Sequence, residues 1–189
     1  MIRKDDYFRI LIVDDNRELR SIIEEYFGYS GHSIEGACDG KDALDKCMKD
    51  PYDLIITDLN MPGLMGIELI KMVRKQNNMT EFIIITGYAS LDTAMDAVKV
   101  GAFDYIVKPF RVEELGVVVK NVKDKVLLKK ANMELFKKLG TFYEELERYR
   151  PHEESETIAE RKDPGTDTEK IVATIKNLEN MVKGPLMIE

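Results

Sequence analysis

Short apolar runs and amphipathic stretches alternate along the first 110 residues. The runs are "YFRILIV" (7–13), "HSIEGA" (32–37), "DLIIT" (53–57), "FIIIT" (82–86) and "FDYIV" (103–107). Four or five apolar, mostly β-branched residues bounded by Asp, Gly or Pro predict strands buried on both faces. Between them lie helical patterns. "RELRSIIEEYFGYSG" sets Leu19, Ile22, Ile23, Tyr26 and Phe27 on one stripe, with Gly28 and Gly31 as terminators. "GKDALDKCMKD" offers Ala43, Leu44, Cys47 and Met48 before Pro51, and "GIELIKMVRKQ" and "LDTAMDAVKVG" repeat the texture. Parallel strands need crossovers, so strand and helix alternating with short connections predict an α/β fold: a five-stranded, parallel, doubly wound sheet. Ligands of such sheets bind beyond the carboxyl ends of the strands.

From Arg111 the helical pattern continues. Val112, Leu115, Val119, Val122, Val126, Met133, Phe136, Tyr143 and Leu146 keep three-and-four spacing, with Lys129 and Gly140 at two seam positions. This predicts a long C-terminal helical extension over 121–150, a candidate coiled coil. At ~1.5 Å per residue, 40 helical residues make a rod of about 60 Å. The alternative is a break at Gly140 and a return onto the preceding domain. Residues 151–167 read as a polar linker, 168–183 as a short amphipathic helix and 184–189 as a tail. Thr166 and Glu169 form a capping-box pattern before the stripe Ile171, Ile175, Leu178 and Val182. His152 lacks the helical setting of a phosphorylatable kinase histidine.

Composition narrows the class. A 44% hydrophobic chain of 189 residues holds one packed domain, here 1–120, plus an appendage. Net charge is −7, distributed as −6 over 1–120, +3 over 121–150 and −4 over 151–189. Nucleic-acid binding is therefore not evident, and the mild basic stretch reads as a solvated helix face. Cys38 and Cys47 have neither metal-ligand spacing nor a disulfide framework. No apolar run approaches a membrane span and the N-terminus lacks a signal-peptide core, so a cytoplasmic protein is expected.

Candidate chemistry collects at the predicted strand ends. Asp14 and Asp15 follow the first strand, Asp58 the third, Thr86 ends the fourth, and Lys108-Pro109 follows the fifth. Alone, either aspartate of the pair reads as a helix cap, with Glu18 completing a capping box for Asp15. Lys108 alone reads as a surface amine and Thr86 as turn chemistry. Together they make three carboxylates, a hydroxyl and an amine on one rim. Carboxylates so gathered repel unless a counter-charge joins them. Mg²⁺ suits one or two carboxylates, waters and phosphate oxygens. The sequence has neither G-x-x-x-x-G-K-[ST] nor G-x-G-x-x-G, so the phosphate is expected on the protein rather than on a nucleotide. Asp58 is the natural acceptor.

"LIVDDN", "DLIITDLNMPGLMGIEL", "IIITGYAS" and "GAFDYIVKPF" closely resemble receiver domains of two-component response regulators, most of all those preceding ATPase domains of enhancer-binding regulators. The resemblance spans roughly residues 7–125. It implies that Asp58 accepts a phosphoryl group from a sensor histidine kinase or phosphotransfer protein. Asp15, assisted by Asp14, would hold Mg²⁺ with Asp58 and the main-chain carbonyl of Asn60. Lys108 would pair with Asp58, Thr86 would swing toward the phosphoryl group, and Tyr105 would turn inward on activation. Pro109 would shape the Lys108 loop through a cis peptide. Asn60 and Tyr88 occupy positions that in this family affect the phosphoryl lifetime.

The expected function is thus that of a response regulator, not an enzyme beyond its own phosphorylation and dephosphorylation. Output would run through protein contacts or a homodimer, formed by the long helix or by the face of the fourth helix, fifth strand and fifth helix. Two alternatives stand beside it: a truncated or atypical DNA-binding regulator, and a phosphate-metabolising enzyme of the same layered fold.

Overall fold

The structure is a computed structural model, and it describes residues 8–149. Five strands and five helices alternate: β1 Arg9–Val13, α1 Arg17–Gly28, β2 Ser33–Ala37, α2 Gly40–Lys49, β3 Leu54–Asp58, α3 Gly66–Gln76, β4 Glu81–Thr86, α4 Leu91–Lys99, β5 Asp104–Val107 and α5 Val112–Tyr149. The strands form one parallel sheet in the order β2-β1-β3-β4-β5.

Alternate residues of the central strands feed opposite faces of the sheet, as a period of two requires. On one face Leu11, Val13, Ile55, Phe82 and Ile84 pack with Ala43 of α2, Leu69, Ile70 and Val73 of α3 and Ala97 of α4. On the other, Ile10, Ile12, Leu54, Ile56, Ile83 and Ile85 pack with Ile23 and Phe27 of α1 and Leu115, Val119, Val122 and Val126 of α5. The doubly wound arrangement expected from the alternation is therefore present. At about 1.5–3 kcal/mol for each fully buried aliphatic side chain, these two layers dominate the drive to fold.

Burial on both faces holds for β1, β3 and β4 but not at the margins. β2 and β5 are edge strands with exposed or half-buried residues at most positions. The apolar stripes are also narrower than the periodicity suggested. Ile22 and Met48 are 55% and 63% exposed, because α1 turns Ile23 and Phe27 inward and α2 turns Ala43 inward.

Helix ends correct one expectation. Asp15 does not cap α1; Asn16 does, its side chain accepting the Leu19 N–H at 3.1 Å. Asp39 caps α2 and Ser90 caps α4, each by accepting the N–H three residues on. After α4 the chain reverses at Gly101, whose φ of 71° lies in the left-handed region that glycine tolerates.

Helix α5 runs unbroken through Gly140. The compact unit built on the sheet ends at Val126, since Val122 and Val126 still fill its core. Farther along α5, Leu127, Leu128, Leu135 and Phe142 are at least half exposed, whereas the seam positions Lys129, Met133, Phe136, Gly140 and Tyr143 are half-buried. The expected linker, short helix and tail (151–189) lie outside the described residues.

Candidate functional site

The strand order reverses between β1 and β3, and that switch point opens a crevice at their carboxyl ends. Asp14 leaves β1 there and Asp58 ends β3 there; both are buried, at 4% and 8% exposure. A buried pair of carboxylates demands compensation. Lys108 supplies it: its Nζ donates to Asp14 Oδ2 and to Asp58 Oδ2, each at 2.6 Å. The remaining oxygens are met by main-chain donors, Asp14 Oδ1 by the Asn16 N–H at 2.8 Å and Asp58 Oδ1 by the Asn60 N–H at 3.1 Å.

Lys108 is held in turn by the end of the sheet. Its N–H donates to the Thr86 carbonyl at 2.8 Å, extending the pairing of β4 with β5 by one bond, and the Lys108–Pro109 peptide is cis. Burial pulls the lysine's pKa down, but hydrogen bonds and charge from Asp14 and Asp58 outweigh it and leave the amine above its ordinary value. The ammonium is therefore a firm counter-charge at neutral pH.

Thr86 is fully buried at the end of β4, and its Oγ1 accepts the Tyr88 N–H at 3.1 Å. Tyr105 is half-buried on β5, with its hydroxyl 2.8 Å from Thr93 Oγ1 in α4. Thr93 also belongs to the Ser90 cap, so a hydroxyl chain ties β5 to the start of α4. The structure thus joins Asp14, Asp58 and Lys108 directly and sets Thr86 beside them through the Lys108 backbone.

Asp15 and Asn60 are exposed, and neither side chain bonds within the triad. Among the described residues no three His, Cys, Asp or Glu side chains form a ready-made metal-holding group. The donors at this rim are carboxylate and carbonyl oxygens, which fit a hard divalent cation such as Mg²⁺ rather than a soft one.

Three supporting residues escaped the sequence reading. Asn16 precedes an apolar-periodic stretch, a signal that marks an N-cap. Gly66 approaches the acceptor closely: a Cβ there would stand 2.3 Å from the Asp58 carbonyl oxygen. Arg20 donates from α1 to the Asp14 carbonyl, a contact that no spacing rule announces.

The fold and the lysine-bridged acidic crevice define a class, and comparison with known proteins identifies it. The family model of the response regulator receiver domain matches residues 10–120. The chain belongs to that family. It is 34% identical over 136 residues to the regulatory protein AtoC of Escherichia coli, covering 72% of this chain and 30% of that protein. It is 39% identical over 107 residues to the response regulator ArlR of Staphylococcus aureus, covering 57% of this chain and 48% of that protein. The chain thus spans less than half the length of these relatives.

Among solved structures, the chemotaxis response regulator CheY4 of Vibrio cholerae superposes with a TM-score of 0.58 at 34% identity, over 61% of this chain and 98% of that one. The Francisella response regulator 1452 receiver domain gives 0.58 at 35% identity, over 62% and 97%. No described helix is long and apolar enough to cross a membrane.

Proposed function

We propose that this receiver is a phosphorylation switch in which Asp58 takes a phosphoryl group from a phosphohistidine of a sensor kinase or phosphotransfer protein. The observation that carries the reading is Lys108 Nζ bridging Asp14 and Asp58 at 2.6 Å each, at the sheet's switch point. A carboxylate held beside a fixed cation is placed to act as a nucleophile.

An Asp58 oxygen attacks phosphorus, the P–N bond breaks, and the leaving imidazole keeps its electron pair and takes up a proton. Asp14, Asp15, Asp58 and the Asn60 carbonyl are the groups that would hold Mg²⁺, which would supply charge neutralisation to the transferring phosphoryl oxygens. Lys108 is placed to give up one of its two carboxylates and pair with a phosphoryl oxygen. Pro109 shapes the loop that aims it.

The new group brings nearly two negative charges and three acceptor oxygens. Thr86 can leave the Tyr88 N–H and donate its hydroxyl proton to one of those oxygens. Tyr105 can part from Thr93 and follow, which would shift α4 and β5 between two arrangements. The outer face of α4 carries Leu91, Met95 and Val98, which are 77%, 49% and 73% exposed, an apolar stripe suited to protein contact. Output is read as protein–protein contact, through that α4–β5–α5 face or through a homodimer along α5, in the cytoplasm. Enzymatic turnover of a separate substrate is not part of the reading.

The test is mass spectrometry after exposure to a small phosphodonor such as acetyl phosphate. One Mg²⁺-dependent phosphoryl group per chain is expected, lost with hydroxylamine and absent from Asp58→Asn. Labelling that survives Asp58→Asn at the same stoichiometry would refute Asp58 as acceptor.

A further inference from the structure

The Asp14–Asp15 peptide joins the buried triad to the exposed part of the acidic rim, since Asp14 is buried in the triad and Asp15 is exposed. Its main chain has few ties. The Asp14 N–H makes a long, 3.3 Å bond to the Ala37 carbonyl, the last between β1 and β2. The Asp14 carbonyl lies past the end of that ladder and before the first turn of α1. A buried carbonyl so placed needs a donor.

That donor is the Arg20 guanidinium, reaching back from the first turns of α1. Gly36 on β2 lies beside both helix side chains: a Cβ there would crowd the flexible end of Glu24 and would meet Arg20 Cδ at an ordinary contact distance of 3.7 Å.

We propose that Arg20 is a positioning residue for the cation site: by holding the Asp14 carbonyl it fixes the Asp14–Asp15 peptide and so the direction in which Asp15 presents its carboxylate. The inference rests on the reading that this rim binds Mg²⁺. Two effects of opposite sign make it decidable. Electrostatics alone says that removing a cation beside a carboxylate cluster strengthens binding of a divalent cation. Positioning says that it weakens binding, because Asp15 must then be ordered at the moment the metal arrives.

The experiment is calorimetric titration of Mg²⁺ into the whole chain and into Arg20→Met and Arg20→Lys, with thermal unfolding of each in EDTA. Arg20→Met keeps the aliphatic length and loses the donor; Arg20→Lys keeps a charged donor. The expected result is an Mg²⁺ Kd raised about tenfold in Arg20→Met, the scale of one hydrogen bond from a charged group. Arg20→Lys should stay within about threefold of the wild type on the same scale. An unchanged or tighter Kd in Arg20→Met overturns the proposal, as does equal weakening in both variants, which traces the loss to packing. Failure of the unsubstituted chain to bind Mg²⁺ overturns the metal reading itself and this inference with it.

Discussion

Replacing Lys108 with Met removes the cation from the crevice and keeps its aliphatic stem. Asp14 Oδ2 and Asp58 Oδ2 each lie 2.6 Å from Nζ, so they stand at most about 5 Å apart. At an effective dielectric near 20, unit charges at that distance repel by about 3 kcal/mol. The facing oxygens also lose a charge-assisted donor. Side-chain exposures of 5% for Asp14 and 10% for Asp58 leave solvent little room to substitute. The expected destabilisation at pH 7.5 in EDTA is therefore about 3 kcal/mol, the lower end of what breaking a buried pair costs.

Urea unfolding followed by circular dichroism would read this as a midpoint lower by roughly 1–2 M, for a slope near 2 kcal/mol/M. Acidification should shrink the difference, because a protonated carboxyl no longer repels its neighbour. Saturating Mg²⁺ should shrink it as well. The wild type gives a complementary signature. Lys108 is raised above its ordinary value, so its contribution is full below the unfolded lysine pKa of about 10.4 and is lost as pH climbs through the folded value. A variant as stable as the wild type in EDTA at pH 7.5, with no greater response to Mg²⁺, would refute the idea that Lys108 compensates the pair.

Gly66→Ala should destabilise by about 1–3 kcal/mol and slow Asp58 phosphorylation, since its Cβ would press within 2.3 Å of the Asp58 carbonyl; a normal melting temperature and labelling rate would contradict this. Lys125→Met takes the 3.1 Å ammonium from Glu81 and should cost about 1–2 kcal/mol in urea unfolding, since the lysine is 40% exposed and Arg74 also bears on that carboxylate. No measurable loss would refute a stabilising role for this pair. His32 is lowered by burial first and Lys123 second, so its neutral form belongs to the fold. Stability should be full above about pH 6.5 and fall as pH drops toward the lower folded value, and His32→Phe should flatten that slope in melts between pH 5 and 7.

How much of this was legible in the sequence depends on the physics that writes each part. The strands at 10–13, 54–57 and 82–85 were plain, because a strand buried on both faces must be apolar at every position. The same rule misread β2 and β5: Ala37 and Tyr105 pack on one layer and Ile34 and Ile106 on the other, yet most positions stay half-exposed because each strand has a neighbour on one side alone. Stripe membership of Ile22 and Met48 failed for a related reason: periodicity gives a helix's apolar arc but not which part of it meets the sheet. At the site, charged side chains at strand ends are conspicuous because burying them is costly, so Asp14, Asp58 and Lys108 stood out before their contacts were visible.

The support around them did not stand out. Arg20 acts through a main-chain carbonyl, and Gly66 acts through the space it leaves at Asp58. Neither the donor's target nor the empty volume has a residue letter of its own. The residues that perform the chemistry are therefore readable from their cost. Those that aim it are readable only where the chain's backbone hydrogen bonds and close approaches are traced in three dimensions, which is why the residue letters point to Asp15 for the cap that Asn16 provides.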